Sequence, residues 1–375
     1  MKIGLVLQSG VELGGAHNYE ANFQKLALEV AKDSDYKVLT FVPHALKKGT
    51  ATSADIYTYK ISPLRFALAH LRANPLTLKA LSLLGLGKTQ LERKAIQLGV
   101  DILVFTSPNH LSPGIHTIPF TTTAWDFGHL DLPHYPETGQ GGLWKWREHL
   151  YTSTAARSVA IFCDSTRTKS RLEQRYGVQP QRVNVIGLLP SVTSEVKKEN
   201  LDKPHLIYPA MFWAHKDHFL LLESFADFLR TNGRVAYLVL SGSGHLVEDV
   251  KKYAAELGIA ESVKFLGLVS RDRLMGLIAG SKGLLMASIL GPTNIPPLEA
   301  AMLGTPVVAS DAHEMQDMLD GLELVPCSDR QAWASAMARL WRGEVKTPKL
   351  LPANEKAVLV RALTFLENQL RGLSR

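Results

Sequence analysis

Short apolar runs alternate with amphipathic stretches along the chain, and the same alternation occurs in both halves. Continuous apolar runs of roughly four to eight residues between helix-period stretches are typical of parallel strands covered on both faces. The pattern therefore predicts an α/β protein with two Rossmann-like domains. In the first half we expect strands at Lys2–Gln8, Tyr36–Val42, Asp55–Ile61, Ile102–Thr106, Ile118–Thr123, Val159–Asp164 and Val183–Ile186. In the second half we expect strands at His205–Ala210, Ala236–Ser241, Val263–Leu268, Gly283–Ala287, Pro306–Ser310 and Glu323–Pro326.

The segment Gly187–Lys203 interrupts this alternation with proline, serine, threonine and a run of Lys and Glu. Such composition is typical of a linker, so we place the domains at residues 1–190 and 191–350. Near the end of the chain, Asn354–Leu370 carries apolar residues at helical spacing. We expect residues 351–375 to form a helix that packs back towards the N-terminal domain.

Composition limits the class of protein. The chain has 375 residues, 46% of them apolar, which is enough for two buried cores. Its apolar runs are shorter than the roughly 18 residues that cross a bilayer, and Met1–Leu7 resembles a first strand more than a secretory signal. Cys163 and Cys327 lie far apart in apolar surroundings, so we predict core thiols and a cytoplasmic location. Because His and Cys do not cluster at ligand spacing, we predict no metal and no cofactor.

Positive charge is concentrated between Ile56 and Val100. The chain carries a net charge of +7, and this segment has seven basic residues and one acid, with leucines between them. We predict that Arg65, Arg72 and Lys79 form a patch that meets an anionic membrane surface or a phosphorylated acceptor. The alternative is a pair of amphipathic helices with solvated cations. Nucleic acid is not an expected partner, because no aromatic and basic stripe accompanies the charge.

Residues 291–308 combine a polar loop, a helix and a buried strand. Pro296 and Pro297 suit the first turn of a helix and Thr293 or Asn294 suits its cap, so the backbone amides of Thr293–Ile295 face a phosphate-sized ligand. Glu299, on the same first turn, can accept two hydrogen bonds from a ribose diol. An ordinary capped helix with a surface Glu remains the alternative.

Other loops that follow strands are candidate ligand sites, since doubly wound sheets bind ligands outside the carboxyl ends of their strands. Gly14 and Gly15 follow the first strand and open a helix, although they could simply form a turn. Gly242 belongs to Ser241–His245, which lacks the third glycine of a dinucleotide fingerprint, so a dehydrogenase is disfavoured.

Three polar side chains at strand ends are our candidate catalytic groups. Lys216 follows the first strand of the second half, just before a helix, and can neutralise a diphosphate leaving group. Asp126 and His129 follow a strand of the first half and are candidates for contacts with sugar or acceptor hydroxyls. Either could instead be a satisfied core group.

Several segments between His205 and Asp311 resemble the nucleotide-binding domain of retaining glycosyltransferases of family 4, which have the GT-B fold. The segments are Lys216–Phe225, Leu240–Gly244, Val263–Ser270 and Pro297–Asp311, supported less tightly by Gly14-Gly15, Cys163–Lys169 and Tyr176–Val178. The resemblance implies two Rossmann-like domains whose sheets face each other across a cleft. It also implies a nucleoside diphosphate sugar as donor, with Glu299 at the ribose, Lys216 at the diphosphate and the backbone of Leu266–Val269, including Leu268, at the base.

The chain departs from the family pattern at two positions. Gly291 stands where the family commonly has a Glu that meets the donor sugar, and Met211 stands where it commonly has an Arg at the diphosphate. These variants resemble a branch of the family associated with bacterial surface polysaccharides. Trp125 also stands where many relatives have a His.

The resulting expectation is a cytoplasmic, metal-independent retaining glycosyltransferase. It would act on a glycan or lipid-linked acceptor, with residues 1–190 binding the acceptor and residues 191–350 binding the nucleotide sugar. Two alternatives remain open at this point. One is a catalytically weak sugar-nucleotide-binding partner of another transferase, and the other is a GT-B sugar nucleotide epimerase.

Overall fold

The computed structural model describes residues 1–10, 15–46, 55–61, 64–187, 190, 192, 195–291, 294–312, 315–352 and 354–373. The chain divides into two compact units. The first comprises Met1–Phe127, Lys145–Leu189 and Asn354–Arg375, and the second comprises Gly128–Trp144 and Pro190–Ala353. The segment 128–144, which the sequence places in the first half, therefore packs with the second unit.

Strands and helices alternate through both halves of the chain, as the hydrophobic pattern predicts. Up to residue 187 the elements are β1 (Lys2–Val6), α1 (Gly15–Lys32), β2 (Lys37–Pro43), β3 (Ile56–Tyr59), α2 (Arg65–Ala73), α3 (Pro75–Leu83), α4 (Gln90–Gln97), β4 (Ile102–Phe105), β5 (Phe120–Ala124), α5 (Gly128–Asp131), α6 (Leu143–Ala155), β6 (Ile161–Cys163), α7 (Thr166–Tyr176) and β7 (Val183–Val185).

The second half follows the same plan and ends in a long helix. Its elements are β8 (His205–Pro209), α8 (His218–Asn232), β9 (Tyr237–Ser241), α9 (Val247–Glu256), β10 (Val263–Gly267), α10 (Arg271–Gly280), β11 (Gly283–Met286), α11 (Ile295–Met302), β12 (Val307–Ser310), β13 (Leu319–Asp320), β14 (Glu323–Val325), α12 (Arg330–Arg342), β15 (Lys349–Leu350) and α13 (Glu355–Leu373).

Both large sheets are parallel and doubly wound. Among the described residues, the first sheet has the strand order β3-β2-β1-β4-β5-β6-β7 and the second has the order β10-β9-β8-β11-β12-β14. The strand order reverses between β1 and β4 in the first sheet and between β8 and β11 in the second. These reversal points are where doubly wound folds bind ligands. The prediction of two parallel-sheet α/β domains is confirmed.

Each unit has its own apolar core. In the second unit Tyr208, Phe225 and Trp333 are fully buried, and in the first unit Phe23 and Phe105 are. The two-residue strands β13 and β15 pair antiparallel beside the second core and are too short for an apolar pattern to reveal. The register of β8 against β9 bears on the position of the candidate site. The last residue of β8, Pro209, pairs with the last residue of β9, so both loops leave the sheet at one level.

Helix α13 packs on α1 within the first unit. The Nζ atom of Lys356 lies 3.0 Å from Oε1 of Glu29 and 2.9 Å from Oδ2 of Asp33. The hydroxyl of Tyr36 donates to Oε2 of Glu367 at 3.1 Å. The apolar side chains of α13 are buried beneath these polar contacts at Leu359, Leu363 and Leu366. Helix α13 is thus part of the first unit's structure.

Candidate functional site

The loop after β8 brings Lys216 to the reversal point of the second sheet. Ala214–Lys216 form a single 3₁₀ turn, and Asp217, with φ of +47°, ends it. That backbone conformation is uncommon for a residue other than glycine. Asp217 is also the cap of α8, and its Oδ1 accepts from the backbone amide of Leu220 at 3.3 Å. The turn and the cap together fix the position of Lys216.

The ammonium group of Lys216 contacts two side chains that follow the neighbouring strand β11. Its Nζ donates to Oγ of Ser288 at 3.1 Å and to Oδ1 of Asn294 at 3.2 Å. Asn294 occupies the cap position of α11, yet its side chain accepts from Lys216 and makes no capping hydrogen bond. Ser288 is buried and donates in turn to the carbonyl of Leu290 at 2.7 Å. A cation therefore lies at the carboxyl edge between β8 and β11.

The amino end of α11 offers fewer backbone donors than a typical helix. The helix begins at Ile295, and the two residues that follow are Pro296 and Pro297, which have no N–H group. Thr293, the other predicted donor, lies outside the described residues. Gly291 has φ of +98°, a conformation that favours glycine over the Glu commonly found there in the family it resembles. Backbone geometry thus accounts for a glycine at this position.

Glu299, which we predicted on the first turn of α11, lies in the second turn and is almost completely buried, with 1% of its surface exposed. Its Oε1 atom is 2.6 Å from Nη1 of Arg271, the first residue of α10. Burial raises the pKa of the Glu299 carboxyl, and the guanidinium of Arg271 opposes that rise. Sequence reasoning found Glu299 and missed Arg271. The available signal was its place directly after Ser270, the cap of a helix that follows a predicted strand.

Gly242 has a structural reason to be glycine. A Cβ atom added there would lie 2.1 Å from the carbonyl oxygen of Ala210. The amide of Gly242 donates to the carbonyl of Gly267 at 3.0 Å, so the loops after β8, β9 and β10 are joined by backbone contacts. The donor-binding role that we predicted for Gly242 stays a prediction. Leu268, the next residue after β10, is 61% exposed.

Two ionisable neighbours of Lys216 were not predicted to matter. Glu137, from segment 128–144, accepts the backbone amide of Ala214 at 2.6 Å through Oε1, and its Oε2 lies 3.6 Å from Nδ1 of His215. These contacts join segment 128–144 to the 3₁₀ turn that carries Lys216. His218 stacks on the ring of Phe212, and burial together with Lys216 lowers its pKa to about 3. His218 is therefore neutral at physiological pH.

The two remaining candidate catalytic residues lie in different units. Asp126, in the first unit, is ion-paired with Arg147, and its carbonyl accepts from the hydroxyl of Tyr151 at 2.9 Å. Burial by itself would lower the pKa of Arg147, and the Asp126 carboxylate reverses this, so that the pKa is raised. His129, in the second unit, is fully buried with Trp144 edge-on at 6.1 Å. The structure gives both residues protein partners, and their predicted role with a ligand stays a prediction.

The reversal point of the first sheet is built around a buried acid, Glu20. Its Oε2 accepts the amides of Gln8 and Ser9 at 3.0 and 2.8 Å, and its Oε1 accepts the hydroxyl of Ser107. Ser9 follows β1 and Ser107 follows β4, so this carboxylate joins the two loops. Gly15 begins α1 beside them, and Gly14 lies outside the described residues.

Comparisons with known proteins bear on this arrangement. Residues 192–357 match the family "Glycosyl transferases group 1". Those residues are therefore similar to a group 1 glycosyltransferase domain. The chain is 24% identical over 228 residues to the O-antigen chain mannosyltransferase RfbU of Salmonella typhimurium, a match covering 60% of this chain and 63% of RfbU. The chain spans less than two thirds of the length of the curated relatives that it matches.

Solved structures of similar fold cover the whole chain. Sucrose-phosphate synthase of Thermosynechococcus elongatus is 16% identical with a TM-score of 0.72, and the match covers 99% of each chain. Anabaena HepE, solved in complex with UDP and glucose, is 16% identical with a TM-score of 0.65, covering 100% of this chain and 99% of HepE. The chain therefore has the GT-B fold, as predicted. The group 1 domain contains Lys216, Asn294 and Glu299 and excludes Gly15 and Asp126.

Outside the group 1 domain, the basic segment differs from its prediction. Arg72 is buried, its Nε donates to the carbonyl of Leu86 at 3.0 Å, and burial lowers its pKa. The prediction that Arg72 belongs to an exposed patch is wrong, because the backbone oxygen of Leu86 gives the guanidinium a partner inside the unit. Lys79 on α3 is exposed, and the side chain of Arg65 lies outside the described part of the chain. Among the described helices, none has the length and apolar character needed to span a bilayer.

Proposed function

We propose that this chain is a retaining glycosyltransferase of family 4. It transfers a sugar from a nucleoside diphosphate sugar to a hydroxyl of a glycan or lipid-linked acceptor, in the synthesis of a bacterial surface polysaccharide or glycolipid. The observation that carries the proposal is the Nζ of Lys216, held at the reversal point of the group 1 domain by Ser288 and Asn294. A fixed cation at this place suits an anionic leaving group.

In the proposed reaction the bond between the anomeric carbon and the diphosphate oxygen breaks, and the acceptor oxygen attacks from the same face. The acceptor proton passes to the leaving phosphate oxygen, so the step requires neither a protein base nor a metal. Negative charge grows on the diphosphate, and Lys216 and the amide of Ile295 stabilise it. A preorganised hydrogen-bond donor of this kind contributes ~3 kcal/mol of transition-state stabilisation. Ser288 and Asn294 hold the ammonium in place before the nucleotide sugar binds.

The remaining donor contacts are assigned to the same unit. Glu299 accepts hydrogen bonds from the ribose hydroxyls, one helical turn beyond the cap residue Asn294. The backbone of Leu266–Val269 contacts the base, beside the exposed side chain of Leu268. Both assignments rest on position in the fold, since β10 ends at the same edge of the sheet as β8 and β11.

The test is thermal stabilisation by UDP-, GDP-, ADP- and dTDP-sugars, each with and without EDTA. A donor at about a hundred times its dissociation constant adds ~2.7 kcal/mol to the free energy of unfolding. We expect one nucleotide family to raise the melting temperature equally in both buffers. Stabilisation that EDTA abolishes would overturn metal independence, and the absence of stabilisation by every donor would overturn the proposal.

A second function is favoured by two residues, Gly291 and Met211. Met211 has a thioether where the related enzymes commonly have a cation, and its Sδ accepts a long contact from the hydroxyl of Ser243 at 3.9 Å. With those two contacts missing, the chain would bind a sugar nucleotide and assist another transferase. Donor stabilisation without turnover on any acceptor of a broad panel supports this reading.

We also propose that the first unit binds an anionic membrane surface through α3. Leu76 and Leu83 are 82% and 84% exposed, and Lys79 lies between them on the same face of the helix. Apolar side chains beside a cation suit the interface of a bilayer containing anionic lipid. The variant Leu76→Ser/Leu83→Ser should lose binding to vesicles of phosphatidylglycerol and phosphatidylcholine. Val360→Ser, at an exposed apolar site on α13, should bind like the parent.

A further inference from the structure

The ion pair between Arg271 and Glu299 joins α10 and α11 within residues 192–357. Glu299 is almost fully buried, whereas a third of the Arg271 side chain is exposed. Desolvation of a carboxylate is costly, and a buried acid commonly takes up a proton unless a cation or several donors accompany it. The partner that the structure provides is Arg271, through Nη1 to Oε1 at 2.6 Å.

We propose that Arg271 is a positioning residue of the donor site, which keeps the Glu299 carboxylate charged and correctly aimed before the donor binds. The inference rests on the proposed function, in which Glu299 accepts the ribose hydroxyls. A carboxylate has about four acceptor positions, so a guanidinium at one oxygen leaves room for a ribose diol. A protonated carboxyl would lose acceptor capacity and would bind that diol less well.

The local structure supports a fixed arginine. Arg271 is the first residue of α10, and the cap of this helix, Ser270, accepts the amide of Arg273 through its hydroxyl at 3.4 Å. Arg271 therefore lies at the amino end of α10, directly after the loop that follows β10. We propose that this loop contacts the base of the nucleotide. The backbone of Arg271 is thus held in the first turn of α10, from which the side chain reaches Glu299.

Few other charged groups lie on the elements packed against α11, which are α10, β11, β12 and β15. Within their described residues, β11 and β12 carry no ionisable side chain. On α10 the other charged residues are Asp272 and Arg273, and Arg273 is ion-paired with Glu199 at 3.1 Å. On β15 there is Lys349, which is exposed. Arg271 is the group that opposes the rise in the pKa of Glu299.

The test compares Arg271→Gln with Arg271→Lys and with Arg273→Gln as a matched control on the same helix. Binding of UDP and of GDP is measured by calorimetry between pH 5.5 and 8.5. We expect Arg271→Gln to bind the better of the two nucleotides about tenfold more weakly at pH 6 and to recover as the pH rises, because Glu299 then ionises. Arg271→Lys should restore most of the affinity, and Arg273→Gln should match the parent.

A second readout does not depend on any ligand. The carboxyl carbon of Glu299 is followed by NMR, with its resonance assigned from Glu299→Gln. In Arg271→Gln that resonance should titrate at a higher pH than in the parent. An unchanged titration would overturn the inference, and so would a loss of nucleotide affinity that is equal at every pH, since that result places Arg271 on the nucleotide itself.

Failure of the inference can be told apart from failure of the proposed function. If Glu299→Gln binds UDP and GDP as tightly as the parent, the ribose assignment is wrong and the inference falls with it. If Glu299→Gln weakens binding and Arg271→Gln does not, the ribose assignment stands and the positioning role of Arg271 is overturned.

Discussion

The two reversal points have the same topology and opposite chemistry. Between β8 and β11 the loops carry a cation, Lys216, which donates to the neutral oxygens of Ser288 and Asn294. Between β1 and β4 the loops carry a buried acid, Glu20, which accepts from two backbone amides and a serine hydroxyl. The ammonium of Lys216 carries the charge sign that an anionic ligand requires. Glu20 instead accepts three hydrogen bonds from the loops that it joins.

The difference separates a site that is ready for a ligand from one that is structurally closed. A charged group with neutral partners gains Coulomb energy when an opposite charge arrives. A carboxylate already satisfied by backbone donors gains little from further donors, and its removal leaves those donors buried and unpaired. We therefore expect substitutions at the second sheet to affect turnover and substitutions at the first to affect stability.

The largest effect is expected for Lys216→Met. Loss of a preorganised hydrogen-bond donor at a leaving group lowers turnover by about 10²–10³-fold. Affinity for the nucleotide sugar should fall less. The measurement is steady-state turnover together with donor binding. Lys282→Met is a matched control, because Lys282 is exposed and precedes β11 at the opposite edge of the same sheet. Equal losses in the two variants would contradict a local role for Lys216.

The loop that carries Lys216 should be sensitive to Gly242→Ala. The added Cβ would lie 2.1 Å from the carbonyl oxygen of Ala210, and the backbone has φ of +157°. Overpacking and an unfavourable φ together should cost about 3 kcal/mol of the free energy of unfolding. Gly258→Ala, at φ of +68° with no described atom within 4 Å of the added Cβ, should cost only about 1 kcal/mol.

Calorimetry of the two glycine variants checks that expectation. If Gly242→Ala is no less stable than Gly258→Ala, the close approach of the β8 and β9 loops is not what requires glycine.

The sequence revealed the parts of this comparison that depend on chain order. Strands were predicted from short apolar runs, and each predicted strand overlaps one in the structure. Lys216 was found because it lies in the loop between a predicted strand and a helix, and Asn294 was found because it precedes the two prolines that begin a helix. Arg271 was missed because its pairing with Glu299 depends on the packing of α10 beside α11, which no local pattern shows.

One error has a clear physical origin. Arg72 was assigned to the surface because charged residues in an amphipathic helix usually face water, yet the carbonyl of Leu86 supplies an internal partner. Gly242 was assigned to a donor site, and that role stays a prediction; the structure adds that the carbonyl of Ala210 leaves no room for a Cβ there. In both cases a backbone oxygen distant in sequence lies against the residue, and sequence patterns do not locate such atoms.

A smaller effect, on stability, is expected for Glu20→Ala. The variant leaves the amides of Gln8 and Ser9 and the hydroxyl of Ser107 without their acceptor, which should cost about 2 kcal/mol. Nucleotide binding by the second unit should be retained. Glu29→Ala is the control on the same helix, since Glu29 forms an exposed pair with Lys356 and should change stability by less than about 1 kcal/mol. A Glu20→Ala protein of unchanged stability and no turnover would make the first reversal point catalytic.

The smallest expected effect is a pH dependence of stability that arises from Glu20. Burial raises the pKa of its carboxyl, although hydrogen bonds from Ser107, Ser9 and Gln8 oppose the rise. In the unfolded chain a Glu ionises at about pH 4.3. In the folded state the raised pKa means that Glu20 keeps its proton to a higher pH. The contribution of Glu20 to the free energy of unfolding is therefore full below the unfolded pKa and is lost as the pH rises through the folded pKa.

Urea unfolding of the parent and of Glu20→Gln between pH 4 and 7 measures this contribution, with Glu29→Gln as control. If the stability of the parent relative to Glu20→Gln instead grows with pH, the hydrogen bonds from the loops outweigh burial and lower the pKa of Glu20. The first reversal point would then stabilise a charged acid without a cation, whereas Glu299 is paired with Arg271.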